Sequence, residues 1–347
     1  MPEYSAAAAN TTHPYARLTP DRVLDALYAL GLRPDGRLLA LNSYENRVYL
    51  AHLDEAVQGH TAVVLKVYRP ERWTEAQIRE EHAFAAALAA AEVPVVAPLL
   101  LQDDTLHRQQ DFWLAVCPRR GGRAPELDDF AVLEWTGRLL ARLHAVGAEQ
   151  PFALRPALNA ATFGQEPHDW LLQHQAIPLD VASEWRAVYS DAMQLIAETP
   201  LGDCRNGQKM ASIRIHGDCH PGNILWTPAE QPDGGPHFVD LDDARMGPAV
   251  QDLWMLASGE RAQRAGQLST LIEGYEQVRP FDRRELALIE PLRTLRLIHY
   301  SAWLARRWDD PAFPASFPWF GSSDYWRGQV QMLVEQIEAM QEPPLLV

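Results

Sequence analysis

The chain has 347 residues, 47% of them hydrophobic and 22% charged, which is more than one hydrophobic core usually serves and predicts two lobes. Its formal net charge of -15 argues against nucleic-acid phosphate or an anionic membrane surface as partner, since both are bound by clustered Lys and Arg. Cys117, Cys204 and Cys219 are odd in number and too irregularly spaced for a zinc knuckle, which fits a reduced cytoplasmic setting; no run of about 18 apolar residues spans a bilayer.

No charged stretch followed by an apolar one opens the chain, so no secretion signal is expected, and residues 1–20 read as a flexible tail. Thr19-Pro20-Asp21 opens a helix: a capping hydroxyl, proline at the first helical position, then an acid at the positive end. Val23, Leu24, Leu27 and Leu30 follow at helical spacing, and Gly31 closes it. Residues 37–41, 47–52 and 62–68 read as strands, with a turn at Asn42-Ser43-Tyr44-Glu45-Asn46. A helix over 74–91 ends before Pro94 and Pro98, and 95–101 and 112–117 read as two further strands. These elements make an antiparallel lobe over 21–117. The Pro118-Arg119-Arg120-Gly121-Gly122 stretch then reads as a hinge.

Residues 118–347 read as a mostly helical lobe. Asp128 or Asp129 caps a helix whose Phe130, Leu133, Gly137, Leu140 and His144 share one face; His144 there reads as a satisfied core histidine. Into this lobe is set Ile215-His216-Gly217-Asp218-Cys219-His220-Pro221-Gly222-Asn223-Ile224-Leu225-Trp226. A metal site, a satisfied polar loop and a catalytic loop compete to explain it. Zinc held by His216 and His220 needs that spacing on a helix, and the glycines and proline favour a loop. Cys219 reads as a small packed residue more readily than as a reactive thiol.

The apolar run after Asn223 turns at Asp233-Gly234-Gly235 and returns through 237–241, a hairpin that gathers Asp218, Asn223 and Asp240 at one end. Two carboxylates and an amide oxygen suit magnesium better than zinc, and magnesium commonly completes its shell with substrate phosphates. Taken alone, Lys66 on its apolar strand reads as a snorkelling surface lysine, and Glu80 and Glu81 as solvated helix charges. Together with the hairpin set they read as a phosphate grip.

The series Lys66, a helical Glu, His216-Gly217-Asp218 with Asn223, then Asp240, Gly247 and Asp252 resembles the protein-kinase-like fold of the aminoglycoside phosphotransferase superfamily. Asn42-Ser43-Tyr44-Glu45-Asn46-Arg47-Val48-Tyr49, Tyr68-Arg69-Pro70-Glu71-Arg72-Trp73, Val239-Asp240-Leu241-Asp242-Asp243-Ala244-Arg245 and Arg307-Trp308-Asp309-Asp310-Pro311-Ala312-Phe313-Pro314 further resemble the bacterial stress response kinase A family. That resemblance implies an α+β bilobal protein-kinase-like fold: a small antiparallel β lobe with one main helix and a larger helical lobe. It implies a monomeric, cytoplasmic, ATP- and Mg2+-dependent Ser/Thr protein kinase with a role in stress response.

By the same resemblance Asp218 and Asp240 are catalytic, and Asn223 and Asp240 hold the metal. Ser43, Asn46, Lys66, Glu81 and Val116 bind the nucleotide, with Glu81 rather than Glu80 fixing Lys66. Two departures stand out: the turn over the phosphates lacks glycine, and no A-P-E motif closes an activation segment. The competing readings are a small-molecule phosphotransferase acting on an aminoglycoside, homoserine or choline-like alcohol, and a non-catalytic nucleotide-binding scaffold. A choline or aminoglycoside site needs an acidic or aromatic pocket near Asp218.

Overall fold

The computed structural model describes residues 13–202, 210–231 and 234–347; Cys204, Asp233 and the first 12 residues of the expected tail lie outside them. Helix α1 (Pro20–Ala29) begins at Thr19, whose hydroxyl accepts the Arg22 N–H at 3.3 Å. Its Val23, Ala26 and Leu27 are buried, and Gly31 turns the chain out at φ +80°.

Five antiparallel strands follow: β1 (Pro34–Ala40), β2 (Arg47–Val57), β3 (His60–Val67), β4 (His107–Gln109) and β5 (Phe112–Pro118), in spatial order β1-β2-β3-β5-β4. Helix α2 (Glu75–Ala90) lies between β3 and β4 in sequence. The two-residue alternation of β3 separates two chemistries. Val63, Leu65 and Val67 join Leu114 and Val116 of β5 and Val23 and Leu27 of α1 in one core cluster. Lys66 pairs across the sheet with Ala115, which packs with Tyr68 and Ile78 in a separate cluster.

The strand expected over 95–101 does not form. Pro98 removes a ladder donor from its middle, and the segment makes isolated contacts such as Leu99 N–H to the Val116 carbonyl at 2.7 Å. The sheet edge is instead the three-residue β4, reached through a tight turn with Gln110 at φ +56°.

The remaining elements are α3 (Phe130–Gly147), α4 (Glu166–Gln173), α5 (Leu179–Ala197), β6 (Ile213–Ile215), β7 (Ile224–Thr227), β8 (Gly235–Phe238), β9 (Arg245–Gly247), α6 (Val250–Trp254), α7 (Arg261–Glu276), α8 (Ile289–Ala305), α9 (Ala312–Ser316) and α10 (Ser323–Gln341). The chain divides into two compact units. The first runs to His82 and adds Ala97–Arg119 and Arg306–Pro318, so it includes α9; the second comprises Ala83–Val96, Arg120–Ala305 and Trp319–Val347.

In the second unit Asp129 caps α3 by accepting the Ala131 and Val132 N–H groups, and Leu133, Gly137, Leu140 and His144 are buried as their spacing predicts. Phe130, expected on the same face, is 60% exposed: it is the first helical residue and lies beyond the packed stretch. Glycines let α3 and α7 touch backbone to backbone. A Cβ on Gly137 would meet the Leu271 carbonyl at 2.0 Å, and one on Gly274 the Glu134 carbonyl at 2.0 Å. Among the described residues no helix is long and apolar enough to cross a membrane.

Candidate active site

The loop that follows β6 is held from beneath by a buried carboxylate. Asp252 of α6 accepts the His216 N–H at 2.7 Å and the Gly217 N–H at 2.9 Å, while His144 Nε2 lies 2.9 Å from its Oδ2. His144 Nδ1 in turn lies 3.1 Å from the Tyr275 hydroxyl, so this core histidine is satisfied by the group that braces the loop. His216 is completely buried, and its Nε2 lies 2.9 Å from the Val239 carbonyl, tying the loop to the chain leaving β8. Gly217 has φ +84°, and a Cβ there would sit 2.2 Å from the Asp243 carbonyl, so both conformation and space demand glycine. Cys219 is fully buried, and burial with Asp252 and Asp218 nearby pushes its thiol well above the usual range, which keeps it protonated and unreactive.

Residues 216–220 run as a loop into a single 3-10 turn, Pro221–Asn223, so His216 and His220 have no helix to share. The structure brings Asp218 and Asn223 together: the Asn223 amide donates to the Asp218 carbonyl at 3.0 Å and lies 3.5 Å from its carboxylate. The hairpin pairs Ile224 with Phe238, and Val239 N–H donates to the Asn223 carbonyl at 3.0 Å, which sets Asp240 beside the same turn. The second strand, expected to run through Leu241, stops at Phe238. Asp240 is left-handed at φ +59° and exposed, and a 3-10 turn, Leu241–Asp243, follows it. Both carboxylates act on the His220 ring, yet burial outweighs them and pushes the imidazole below its usual range.

A resident cation is consistent with this donor set. With its amide nitrogen spent on Asp218, Asn223 has an oxygen that accepts no hydrogen bond among the described residues. Among those residues no group of three or more His, Cys, Asp or Glu is arranged to hold a metal. Magnesium commonly takes only one or two protein carboxylates and completes its shell with water and phosphate.

In the first unit Lys66 Nζ lies 3.3 Å from Glu81 Oε1, with both side chains largely buried, and 4.7 Å from the centroid of the Tyr68 ring. The Ser43 hydroxyl donates to the Asn46 carbonyl at 2.9 Å, and Asn46, itself buried, accepts the Arg69 N–H at 3.1 Å. The polar atoms of Ser43 and Asn46 thus shape the turn. Val116, expected with the nucleotide residues, is not brought to Lys66. Its side chain is fully buried in the Leu65 cluster on the opposite sheet face, and its cross-strand partner is Leu65.

Two features were not read from the sequence. Glu45 of the turn pairs with Arg69 at 3.1 Å and Arg307 at 2.5 Å, while Asp310 pairs with Arg47 at 2.8 Å and Arg69 at 2.7 Å. These bonds fix a glycine-free turn with charge; the only sequence signal was that both segments carried family-like residues. In the second unit, Arg296 of α8 donates from Nη1 to Asp218 Oδ1 at 2.8 Å. A lone arginine 78 positions away on an amphipathic helix gives no spacing signal.

A sheet lobe, a helical lobe and a braced His-Gly-Asp loop define a kinase-like phosphotransferase. Residues 37–289 match the phosphotransferase enzyme family, and the chain belongs to it. Within that class it belongs to the stress response kinase A family. It is 45% identical to stress response kinase A of Escherichia coli (strain K12) over 336 residues, 97% of this chain and 98% of the relative. It is 44% identical over 331 residues to a protein of Salmonella typhimurium (strain LT2) named serine/threonine protein kinase RdoA, covering 95% and 96% of the two chains. Among solved structures, amicoumacin kinase hAmiN in complex with AMP-PNP, Ca2+ and Ami shares the fold at TM-score 0.68 and 19% identity, covering 94% of this chain and 95% of that one. A microcompartment-associated aminopropanol kinase does so at TM-score 0.64 and 18% identity, covering 92% and 96%.

Proposed function

We propose that the protein is a cytoplasmic, monomeric, ATP- and magnesium-dependent kinase that transfers the γ-phosphate to a Ser or Thr hydroxyl of a protein, in a stress response. The observation that carries this reading is Asp218, partly exposed on a loop whose backbone is pinned by buried Asp252. The kinship with the relative named serine/threonine protein kinase RdoA supports a protein acceptor.

The acceptor oxygen forms its bond to the γ-phosphorus as the bond between that phosphorus and the β–γ bridging oxygen breaks, and ADP leaves with that electron pair. Asp218 orients the hydroxyl and takes its proton. Lys66, held by Glu81, neutralises charge on the α- and β-phosphates, and the Ser43–Asn46 turn covers the phosphates with backbone N–H groups. Asn223 and Asp240 would hold magnesium, which when bound supplies charge neutralisation on the transferring phosphates. Positioning and charge carry the reaction, so a loop braced by three hydrogen bonds is the part a kinase needs rigid.

The test is incubation with labelled ATP and magnesium, with protein acceptors in one arm and small alcohols in the other. The expected result is label on Ser or Thr, lost with Asp218→Asn or Lys66→Ala and on chelating the metal. Turnover confined to a small alcohol assigns the site to a small-molecule phosphotransferase. Normal turnover by Lys66→Ala removes that residue from the phosphate grip.

A further inference from the structure

The catalytic carboxylate has a permanent cation on it. Arg296 Nη1 lies 2.8 Å from Asp218 Oδ1 and 3.9 Å from the Met255 sulfur. Its Nε and second Nη have no protein partner among the described residues, and its side chain is 37% exposed. Asp218 Oδ2 has only looser neighbours, Asn223 Nδ2 at 3.5 Å and His220 Nε2 at 3.6 Å. One carboxylate oxygen is therefore committed to the guanidinium, and the other is left for the acceptor hydroxyl. A guanidinium carries its donors in a planar fork suited to carboxylate and phosphate, and one that spends a single donor on Asp218 still has a fork to offer.

A second arginine stands beside the first. One turn earlier on α8, Arg293 lies over the Trp254 ring at 5.8 Å, and Trp254 is tied to the loop because its Nε1 donates to Gln251, whose amide donates to the Gly217 carbonyl. Glu290 is shared by Arg264 at 3.1 Å and Arg293 at 3.7 Å. Arg296 and Arg293 thus stand near Asp218 together with the carboxylates of Glu290 and exposed Asp240, in a chain of net charge -15. An aminoglycoside or choline-like acceptor would bring a cation against Arg296, and the Trp254 ring beside the loop already has Arg293 over it.

We infer that Arg296 reads the acceptor, and that the site takes a Ser or Thr hydroxyl flanked by a carboxylate, as in an acidic peptide segment; this rests on the kinase reading above. The fork that holds Asp218 Oδ1 with one donor receives the acceptor's anion with the others. The nucleophile is thereby placed at Oδ2 for proton removal and for attack on the γ-phosphorus of ATP, with ADP leaving.

The experiment measures kcat/KM with magnesium-ATP on Ser peptides flanked by Glu, Gln or Lys, and on small alcohols in matching charge states: hydroxy acids, neutral diols and amino alcohols. The wild type is expected to favour the Glu-flanked over the Lys-flanked peptide by about tenfold or more, since a charge-assisted pair is gained in one and repulsion in the other. R296K keeps the order with a smaller ratio, R296Q flattens it, and R296E inverts it. A role in holding the loop alone would lower every acceptor equally and leave the ranking intact. Equal use of the three peptides by the wild type, or a ranking unmoved by R296Q, overturns the proposal. If only small alcohols are labelled, the protein-kinase reading fails, and the Arg296 inference is decided by hydroxy acids against amino alcohols. Absence of turnover on every acceptor overturns both.

Discussion

Gly217 is the residue on which the catalytic loop turns, and two independent costs attach to replacing it. A side chain at φ +84° is strained by about 1–3 kcal/mol, and its Cβ would meet the Asp243 carbonyl at 2.2 Å, a backbone atom that cannot swing away. Gly217→Ala is therefore expected to displace Asp218 while Lys66 and Glu81 in the other unit keep their geometry. Because a misplacement of about 1 Å costs roughly 100-fold in rate, kcat should fall by that order with little change in nucleotide affinity. Steady-state kinetics beside calorimetric ATP titration reads both, and an unchanged kcat would show that the loop tolerates the shift. Legibility at this scale follows spacing. Asp218 and Asn223 lie close in sequence, and two adjacent helical glutamates point about 100° apart, so both fell within reach of pattern reasoning. Arg296 on Asp218 and Asp310 on Arg47 are meetings across 78 and 263 positions, and only packing makes them.

Elements were legible where one physical rule governed them alone. The cap and proline at Thr19-Pro20 and the β-branched apolar run of β3 each had no competitor. The run 95–101 is apolar like a strand but its Pro98 cannot donate, and the return strand of the hairpin ends at Phe238 because Asp240 is left-handed, a conformation that no alternation signals. The α3–α7 contact was half legible: Gly137 sat on the predicted face, while its counterpart Gly274 carried no apolar signal. Since a Cβ on Gly274 would lie 2.0 Å from the Glu134 carbonyl, Gly274→Ala must push two helices apart, although alanine favours the helix by up to about 1 kcal/mol. Overpacking of this kind costs about 1–3 kcal/mol, so the net effect expected is destabilisation, seen as a lower denaturation midpoint at unchanged m-value. Gly266→Ala, on the same helix with open space around it, is the control and should stabilise slightly.

At the scale of the whole molecule, fold and pH response meet at Glu285. It is buried, its Oε2 accepts the Val250 N–H at 2.8 Å, and so it holds the start of α6, the helix that carries Asp252 to the catalytic loop. Burial, aided by the charge of Asp282, pushes its carboxyl up to about 7, against the pull of the Val250 N–H and Arg279. In the unfolded chain the group titrates near the ordinary carboxylate value, so between about pH 4.5 and 7 the folded protein binds more protons than the unfolded one. Stability from this group is therefore intact below pH 4.5, declines as pH rises through that window, and is fully lost above pH 7, by an order of about 3 kcal/mol. Glu285→Gln keeps an oxygen for the Val250 N–H and cannot ionise. Denaturant midpoints measured from pH 4.5 to 8 should show the wild type losing stability relative to Glu285→Gln, with the gap widest above pH 7. Parallel curves for the two proteins would mean that Glu285 ionises in the fold as it does in water.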